Sequence, residues 1–285
     1  MFATLRSTHL FPVLTAATLL GGAASAAIAA DASPWDEDFQ SAARLIAARV
    51  HNESGGRVFR AGLEIKLKHG WKTYWRYPGD SGVPPVFDFS KSQNVKSVTV
   101  LYPAPSRFPD GAGGNSIGYK DLVVLPLHIV PQDAAKPVML NLKLAYAACE
   151  KLCIPAEANL ELEVNGTETA NESVLAAAEQ RVPKVAHIGS GTPAIQSVKR
   201  DTGSGKPRVV VDVAAASGAP VTVFAEGPTG WALPLPEPVA GAPAGSQRFA
   251  FDVDGLPPGE KPDGATLHIT AVAGDKAVEV AFRLD

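Results

Sequence analysis

Apolar and polar residues alternate with a period of two through much of the first half of the chain, which predicts β-strands that each bury one face. The alternation is clearest at Leu63–Leu67, Val138–Tyr146 and Leu160–Val164. Leu122–Val130 is apolar almost throughout, which is typical of a strand covered on both sides. Ser41–Val50 fits an Ala-rich helix and a strand equally well.

The strand pattern returns in the second half, beyond a Pro- and Gly-rich break at Pro183–Pro193 that is typical of a linker. Before this break, Glu172–Gln180 predicts a helix with Asn171 as its N-cap. Beyond it, strand signals recur about every ten to fifteen residues. They lie at Val209–Val213, Val221–Val223, Phe249–Val253, Leu267–Ala271 and Val278–Phe282. Short strands at that spacing, with turns between them, indicate a β-sandwich.

These elements predict an all-β protein with two sandwiches in tandem. We expect a leader at residues 1–29, a first sandwich at 35–182, a linker at 183–194 and a second sandwich at 195–285. Both cysteines lie in the first sandwich and none in the second. Any chemistry is therefore expected in the first sandwich.

The start of the chain has the features of a cleaved secretory signal. Arg6 is the only charged residue before the apolar run Leu10–Leu20, and Ala27–Ala29 forms a small-x-small cleavage site. The run is about ten residues long, short of the roughly twenty that span a bilayer, and no later stretch is long enough. We therefore expect a soluble exported protein without membrane insertion, most simply in a bacterial periplasm, where a disulfide can persist.

Composition and charge narrow the functional classes. With 46% hydrophobic and 19% charged residues, the chain is too apolar to be a disordered tail. Its 26 basic and 29 acidic residues become 25 and 29 once Arg6 leaves with the leader, a net charge of −4. That balance favours neither a nucleic-acid partner nor an anionic membrane surface. No cofactor is expected.

The two cysteines, Cys149 and Cys153, directly follow a predicted strand. Residues four apart in an extended strand would be about 13 Å apart, whereas disulfide-bonded residues have Cα atoms within about 7 Å of each other. The chain must therefore turn between them, and Glu150–Leu152 permits a single helical turn that Pro155 would stop. A disulfide that closes so short a loop stabilises the fold by only about 2 kcal/mol.

The residues around this cysteine pair are compatible with three functions. A short loop keeps the second thiol beside the first, which suits reversible thiol-disulfide exchange. A structural bridge in a non-catalytic binding module is the second. Copper or zinc handling is the third, although two thiolates need further ligands and no histidine is spaced to supply them. Because Met1 and Met139 are the only methionines, a methionine-rich copper site is excluded.

Several separated motifs resemble the N-terminal periplasmic domain of the DsbD and ScsB thiol:disulfide interchange proteins. The motifs are Gly70–Pro85 (GWKTYWRYPGDSGVPP), Tyr102–Pro103, Gly114–Tyr119 (GNSIGY), Val124–Leu127 (VLPL) and Tyr146–Pro155 (YAACEKLCIP). They stand in the family's order, and the match covers residues 35–170. The resemblance implies immunoglobulin-like sandwiches, a strand at Ser41–Val50, and a second sandwich like that of the ScsB branch.

The resemblance also implies a function. In this family the cysteine pair accepts electrons from a membrane-embedded thiol reductase and passes them to periplasmic thioredoxin-like proteins, the activity of a protein-disulfide reductase. Cys149 and Cys153 become this redox pair, and Cys153 is expected to form the mixed disulfide with partners. Full-length relatives also carry membrane segments and a thioredoxin-like domain that this sequence lacks, so we expect a separate membrane protein to reduce it.

The resemblance places a cap loop that shields the cysteines at Arg107–Asn115. A gap-free match puts Ala112 where the family has an aromatic cap residue, so Phe108 is expected to serve instead. Asp110 in the same loop is either a turn residue or a carboxylate that tunes the thiol pKa.

Aromatic residues cluster beside the first motif. They are Trp71, Tyr74, Trp75 and Tyr77. Aromatic residues on a strand usually fill a core, but Tyr74 and Tyr119 are also candidates for lining the site. Gly79–Gly82 is first of all a turn, and the resemblance makes it a feature of the site as well.

Overall fold

Extended strands make up most of the backbone. The computed structural model describes residues 1, 30–53, 56–111, 113–201, 203, 206–216 and 219–285. Apart from residue 1, the predicted leader lies outside these residues and stays a prediction. Within the described part of the chain there are nineteen strands and one helix, so the predicted all-β class is confirmed.

The first sandwich contains the strands that precede the helix. They are β1 (Asp36–Glu37), β2 (Ser41–Glu53), β3 (Gly56–Leu67), β4 (Lys72–Gly79), β5 (Val86–Asp88), β6 (Val95–Val100), β7 (Ser106–Pro109), β8 (Asn115–Lys120), β9 (Leu122–Pro131), β10 (Val138–Cys149) and β11 (Cys153–Val164). The helix α1 spans Glu172–Gln180, as predicted. The second sandwich follows, with β12 (Lys184–Val185), β13 (Ala194–Asp201), β14 (Arg208–Ala214), β15 (Thr222–Glu226), β16 (Glu237–Pro238), β17 (Ser246–Asp252), β18 (Thr266–Ala273) and β19 (Lys276–Arg283).

Two antiparallel sheets face each other in the first sandwich. One has the strand order β1-β2-β3-β9-β6, and the other has the order β11-β10-β4-β8-β7, with β5 paired to β10. Alternate side chains such as Leu63, Leu125, Leu142 and Leu160 fill the space between the sheets. Full burial of each such side chain contributes about 1.5–3 kcal/mol. Ser41–Val50 lies within β2, so the strand implied by the resemblance is confirmed.

The helix α1 covers the outer face of the first sheet. Leu175 packs there against Ile46 and Val124. Gly62 on β3 permits this approach, because a Cβ atom at that position would lie 3.0–3.1 Å from side-chain atoms of all three residues. Strand β9 is therefore covered by the core on one side and by the helix on the other, as its continuous apolar pattern predicted.

Arg60 fastens the helix to β3 and buries charge on a face that the alternation predicted to be exposed. Its Nε and Nη2 atoms donate to the Glu179 carboxylate at 2.9 and 2.7 Å, and its Nη1 donates to Glu172 at 2.7 Å. Burial favours the neutral form of Glu179, but hydrogen bonds from His128 and Arg60 outweigh it and lower the pKa of Glu179 to about 2. The outer face of β3 is thus closed by an ion-pair cluster.

The helix begins where the sequence predicted, but its first turn is held differently. Asn171 occupies the N-cap position without a side-chain bond to the helix. Its amide instead donates to the carbonyl oxygen of Asp31 at 2.7 Å, which ties the helix to the chain before β1. Among the described residues, no helix is long and apolar enough to cross a membrane.

The second sandwich pairs the sheet β12-β19-β18-β15 with the sheet β13-β14-β17-β16. Strand β12 falls inside the predicted linker 183–194, where it runs parallel to β19 with Lys184 opposite Val278. Strand β13 was not predicted, because a register shift between Ile195 and Ser197 breaks the alternation of its side chains. The exact domain boundaries stay predictions.

Candidate thiol-disulfide site

A β-hairpin brings the two cysteines together. Cys149 ends β10 and Cys153 begins β11, and the two are direct cross-strand partners with Cα atoms 4.1 Å apart, joined by a disulfide. The chain turns between them, as a disulfide requires, but it does so as a hairpin and not as the helical turn that the sequence permitted. Glu150–Leu152 forms a tight hairpin loop, closed by a 3.2 Å hydrogen bond from the amide of Glu150 to the carbonyl oxygen of Leu152. The pairing of β10 with β11 along their whole length determines the shape of this loop. The three residues between the cysteines do not determine it by themselves.

The two ends of the disulfide differ in exposure. Cys149 is 1% exposed, whereas Cys153 is exposed at the start of β11. Leu152, which precedes it, has 78% of its surface exposed at the tip of the hairpin. The side of the disulfide that faces solvent is therefore the side of Cys153, while Cys149 lies inside.

Tyr74 contacts both sulfur atoms. Its hydroxyl oxygen lies 2.9 Å from the Sγ atom of Cys153 and 3.0 Å from the Sγ atom of Cys149. Neither sulfur of a disulfide carries hydrogen, so the phenol O–H is the donor. Burial raises the pKa of Tyr74 above its usual value, which keeps this proton in place, and a hydrogen bond from Ser116 opposes that shift. The sequence-predicted site residue Tyr74 thus stands at the pair.

Strand pairing explains why Tyr74 points at the cysteines. Lys72 on β4 is the direct partner of Cys149 on β10, so Tyr74, two residues further along β4, shares the face that carries Cys149. The backbone of Gly82 lies against the tyrosine ring, since a Cβ atom there would come within 2.5 Å of it. The turn that ends at Gly82 therefore lies against the Tyr74 side chain.

Lys72 is a site residue that the sequence reasoning missed. It is only 8% exposed, and its Nζ atom donates to the carbonyl oxygen of Pro109 at 3.2 Å. Burial lowers the pKa of Lys72, whereas the nearby carboxylate of Asp110 acts in the opposite direction. The alternation Lys72, Thr73, Tyr74 places Lys72 and Tyr74 on one face, and this was the signal available. A lysine is usually exposed, so the pattern alone did not suggest a buried one.

Asp110 has the first of the two roles considered for it, that of a turn residue, and an effect on the thiol pKa stays a prediction. Its carboxylate accepts from the amide of Gly114 and from the hydroxyl of Ser81, each at 2.9 Å, and so closes the β7–β8 loop against the turn Gly79–Gly82. Its charge also opposes the lowering of the Lys72 pKa that burial causes, and it adds to the raising of the Tyr74 pKa by burial. Asp110 is therefore a turn residue that also influences the groups around the disulfide. Ala112, the position matched to the family's aromatic cap, lies outside the described residues.

The remaining two predicted site residues, Phe108 and Tyr119, lie on opposite faces of the sheet. Phe108 on β7 is opposite Ser116, on the face that carries Tyr74, and the Nζ atom of Lys120 lies 4.5 Å from the centre of its ring. It stands two strands away from β4, at the edge of the cysteine face. Tyr119 points the other way, into the core, where its hydroxyl donates to the carbonyl oxygen of Pro103 at 2.8 Å. The structure does not bring Tyr119 to the cysteines.

Residues 42–165 match the family model of the N-terminal domain of the thiol:disulfide interchange protein DsbD. The predicted resemblance is confirmed. This DsbD-like domain contains β2 to β11 and both cysteines, so the match includes the whole hairpin that bears the disulfide.

A solved structure extends the likeness beyond the DsbD-like domain. The chain is similar to the crystal structure of the N-terminal periplasmic domain of ScsB from Proteus mirabilis, with a TM-score of 0.69 and 24% sequence identity. The similarity covers 89% of this chain and 98% of that one, so the shared fold includes both sandwiches. No curated protein matches the chain.

Proposed function

We propose that the protein is a periplasmic thiol-disulfide interchange protein whose Cys149–Cys153 pair takes electrons from a membrane-embedded thiol reductase and passes them to thioredoxin-like proteins. The observation that carries this proposal is a disulfide between one exposed and one buried cysteine, with both sulfur atoms in contact with the hydroxyl of Tyr74. The match to the DsbD N-terminal model supports it. The leader-like start of the sequence supports the compartment.

Reduction begins at the exposed sulfur. A thiolate of the electron donor attacks the Sγ atom of Cys153, a sulfur–sulfur bond forms between donor and Cys153, and the bond between Cys153 and Cys149 breaks. The electron pair of the broken bond stays on the Sγ atom of Cys149, which leaves as a thiolate and then takes up a proton. The donor's second thiolate next displaces Cys153, so the donor is oxidised by two electrons and the pair is reduced by two.

Transfer to the acceptor reverses the order of events. The thiolate of Cys153 attacks the acceptor's disulfide, and the acceptor's leaving sulfur departs with the electron pair. Cys149 then attacks Cys153, restores the intramolecular disulfide and releases the reduced acceptor. The hairpin keeps the two Cα atoms 4.1 Å apart, so this resolving step needs little movement.

Tyr74 and Lys72 support the thiolate form of Cys149. Burial in apolar surroundings raises a thiol's pKa and makes its thiolate a poor leaving group. The O–H of Tyr74 donates to this sulfur at 3.0 Å, and a hydrogen bond to the charged form lowers the pKa. The ammonium of Lys72, on the residue paired with Cys149, adds positive charge on the same face. Tyr74 and Lys72 therefore both favour Cys149 as the leaving thiolate when the disulfide is reduced.

The decisive experiment uses single-cysteine variants of the chain. Cys149→Ala leaves the exposed thiol of Cys153, which should react quickly with Ellman's reagent and form a persistent mixed disulfide with a thioredoxin-like protein. Cys153→Ala leaves the buried thiol of Cys149, which should react at least about tenfold more slowly because access limits thiol reactivity. Similar reactivity of the two variants would contradict the assignment of Cys153 as the attacking residue.

Equilibration of the wild-type pair with glutathione tests the function as a whole. A carrier needs a reduction potential within the range of exchanging partners, whereas a structural bridge has a potential below about −300 mV. A value in the structural range, together with no mixed disulfide from Cys149→Ala, would overturn the proposal. Retention of partner binding by a variant with both cysteines replaced by serine would then identify a non-catalytic binding module.

A further inference from the structure

The strand that carries Tyr74 loses its main-chain pairing directly after that residue. Tyr74 on β4 is opposite Gly118 on β8, and the next pair is Gly79 with Ser116. Strand β4 thus advances five residues while β8 advances two, and β10 pairs with β4 only at Lys72. The sheet that holds the disulfide therefore leaves the middle of β4 without strand partners.

The second sandwich contacts this unpaired stretch. Trp75 is 0% exposed, and its ring centre lies 5.7 Å from that of Phe224 on β15. The hydroxyl of Tyr77 donates to the carbonyl oxygen of Leu233 at 2.9 Å. Phe224 is part of the same apolar cluster as the core of the first sandwich. Side chains of β4 thus pack against the second sandwich in the stretch where β4 lacks strand partners.

Arg76 supplies the charged part of this contact. Its Nε and Nη2 atoms donate to the two carboxylate oxygens of Glu226 at 2.9 and 2.6 Å, and Nη2 also donates to Glu279. The side chains of these glutamates are only 14% and 17% exposed. One guanidinium between two largely buried carboxylates forms a directional clamp, and its loss would leave Glu226 without this cation and Glu279 with only its contacts to Thr270 and His268. Arg76, which forms this clamp, lies on β4 two residues after Tyr74.

We propose that Arg76 is a positioning residue for the disulfide and that the second sandwich acts as a brace for β4. This inference rests on the proposed exchange function. The hydroxyl of Tyr74 must stay within hydrogen-bond distance of two sulfur atoms at once, so a small displacement of β4 breaks one of these contacts. Through Arg76, the second sandwich holds β4 where both contacts exist.

The test measures the rate at which dithiothreitol reduces the disulfide in the full chain. Arg76→Met keeps the aliphatic stem and removes the clamp, and it should slow reduction about fivefold, as loss of the Tyr74 hydrogen bond would. Arg76→Lys should recover part of the rate because it restores the charge without the bidentate geometry. Arg248→Met is the matched control, since Arg248 holds Asp212 through two hydrogen bonds within the second sandwich.

Urea unfolding of the same variants separates positioning from stability. Arg248→Met should lower stability and leave the reduction rate within about twofold of wild type, because distant sites act independently. An unchanged rate in Arg76→Met, despite lowered stability, would overturn the proposal. If Arg76→Met does not fold, Glu226→Gln decides instead, with about threefold slower reduction expected from a weakened clamp and an unchanged rate counting against it.

A double variant tests whether Arg76 acts through Tyr74. If it does, adding Arg76→Met to Tyr74→Phe should cause no further slowing, because the hydrogen bond is already absent. Multiplied effects of the two substitutions would contradict the proposed route. A different result would refute the proposed function: a wild-type disulfide that does not exchange with thiols. If the wild-type disulfide exchanges normally and substitution of Arg76 has no effect, only the proposed role of Arg76 and the second sandwich is refuted.

Discussion

Replacement of Tyr74 by phenylalanine removes one hydroxyl from the site and keeps the ring that packs under Gly82. A hydrogen bond to a charged acceptor contributes about 1.5–3 kcal/mol. Its loss from the Cys149 thiolate should raise the pKa of that thiol by about 1–2, because each tenfold change corresponds to about 1.4 kcal/mol. The leaving sulfur carries about half of the full thiolate charge in the transition state, so reduction of the disulfide should slow by about three- to tenfold.

Stopped-flow reduction by dithiothreitol at constant pH measures this rate, and the ultraviolet absorbance of the thiolate against pH measures the pKa in the reduced protein. Tyr119→Phe is the matched control, because it removes the hydroxyl of a buried tyrosine on the neighbouring strand that donates to Pro103. It should lower stability and leave exchange unchanged. Equal reduction rates in wild type and Tyr74→Phe, with no change in the Cys149 pKa, would refute the role assigned to the hydroxyl.

Three further outcomes are expected. Lys72→Met should raise the pKa of the Cys149 thiol and slow reduction about two- to fivefold, since a nearby cation is lost; a faster reaction would contradict this. Gly62→Val should cost about 1–3 kcal/mol in urea unfolding, because the new side chain overpacks the space under α1; wild-type stability would refute it. The pKa of Glu179 is lowered from 4.5 to about 2, so its contribution to stability is present above pH 4.5 and lost as the pH falls toward 2. Arg60→Met should flatten this acid transition measured by circular dichroism, and an unaltered pH dependence would contradict the assignment.

Local patterns were sufficient for most of the fold. The strict alternation in Val138–Tyr146 and Leu160–Val164 predicted β10 and β11, since a strand with one buried face repeats every two residues. The same reasoning missed β13, where the register shift after Ile195 breaks the repeat. It also permitted a helical turn between the cysteines, because five residues considered alone do not reveal the hairpin to which they belong.

The site was only partly accessible to sequence reasoning. The spacing of Cys149 and Cys153 and the motif around Tyr74 pointed to residues that the structure brings into contact. Tyr119 was an equally reasonable candidate, but it faces the core on β8. Lys72 went unrecognised because its burial depends on the end of β7, where Pro109 accepts its hydrogen bond. Aromatic residues at successive positions of β4 do not reveal which face is turned to the cysteines.

The sequence by itself predicted the all-β class and strands such as β9, β10 and β11, required a turn if the two cysteines are to bond, and showed which family they resemble, since these follow from periodicity, chain geometry and local motifs. Only the tertiary structure decided that Cys153 is exposed and Cys149 buried. It also decided that the hydroxyl of Tyr74 contacts both sulfur atoms and that Arg76 binds β4 to the second sandwich. Each of those features depends on segments far apart in the chain. Their contacts arise from how the strands pair and how the sheets pack. The alternation of residues within one strand does not show which strands it will pair with or which sheet it will pack against.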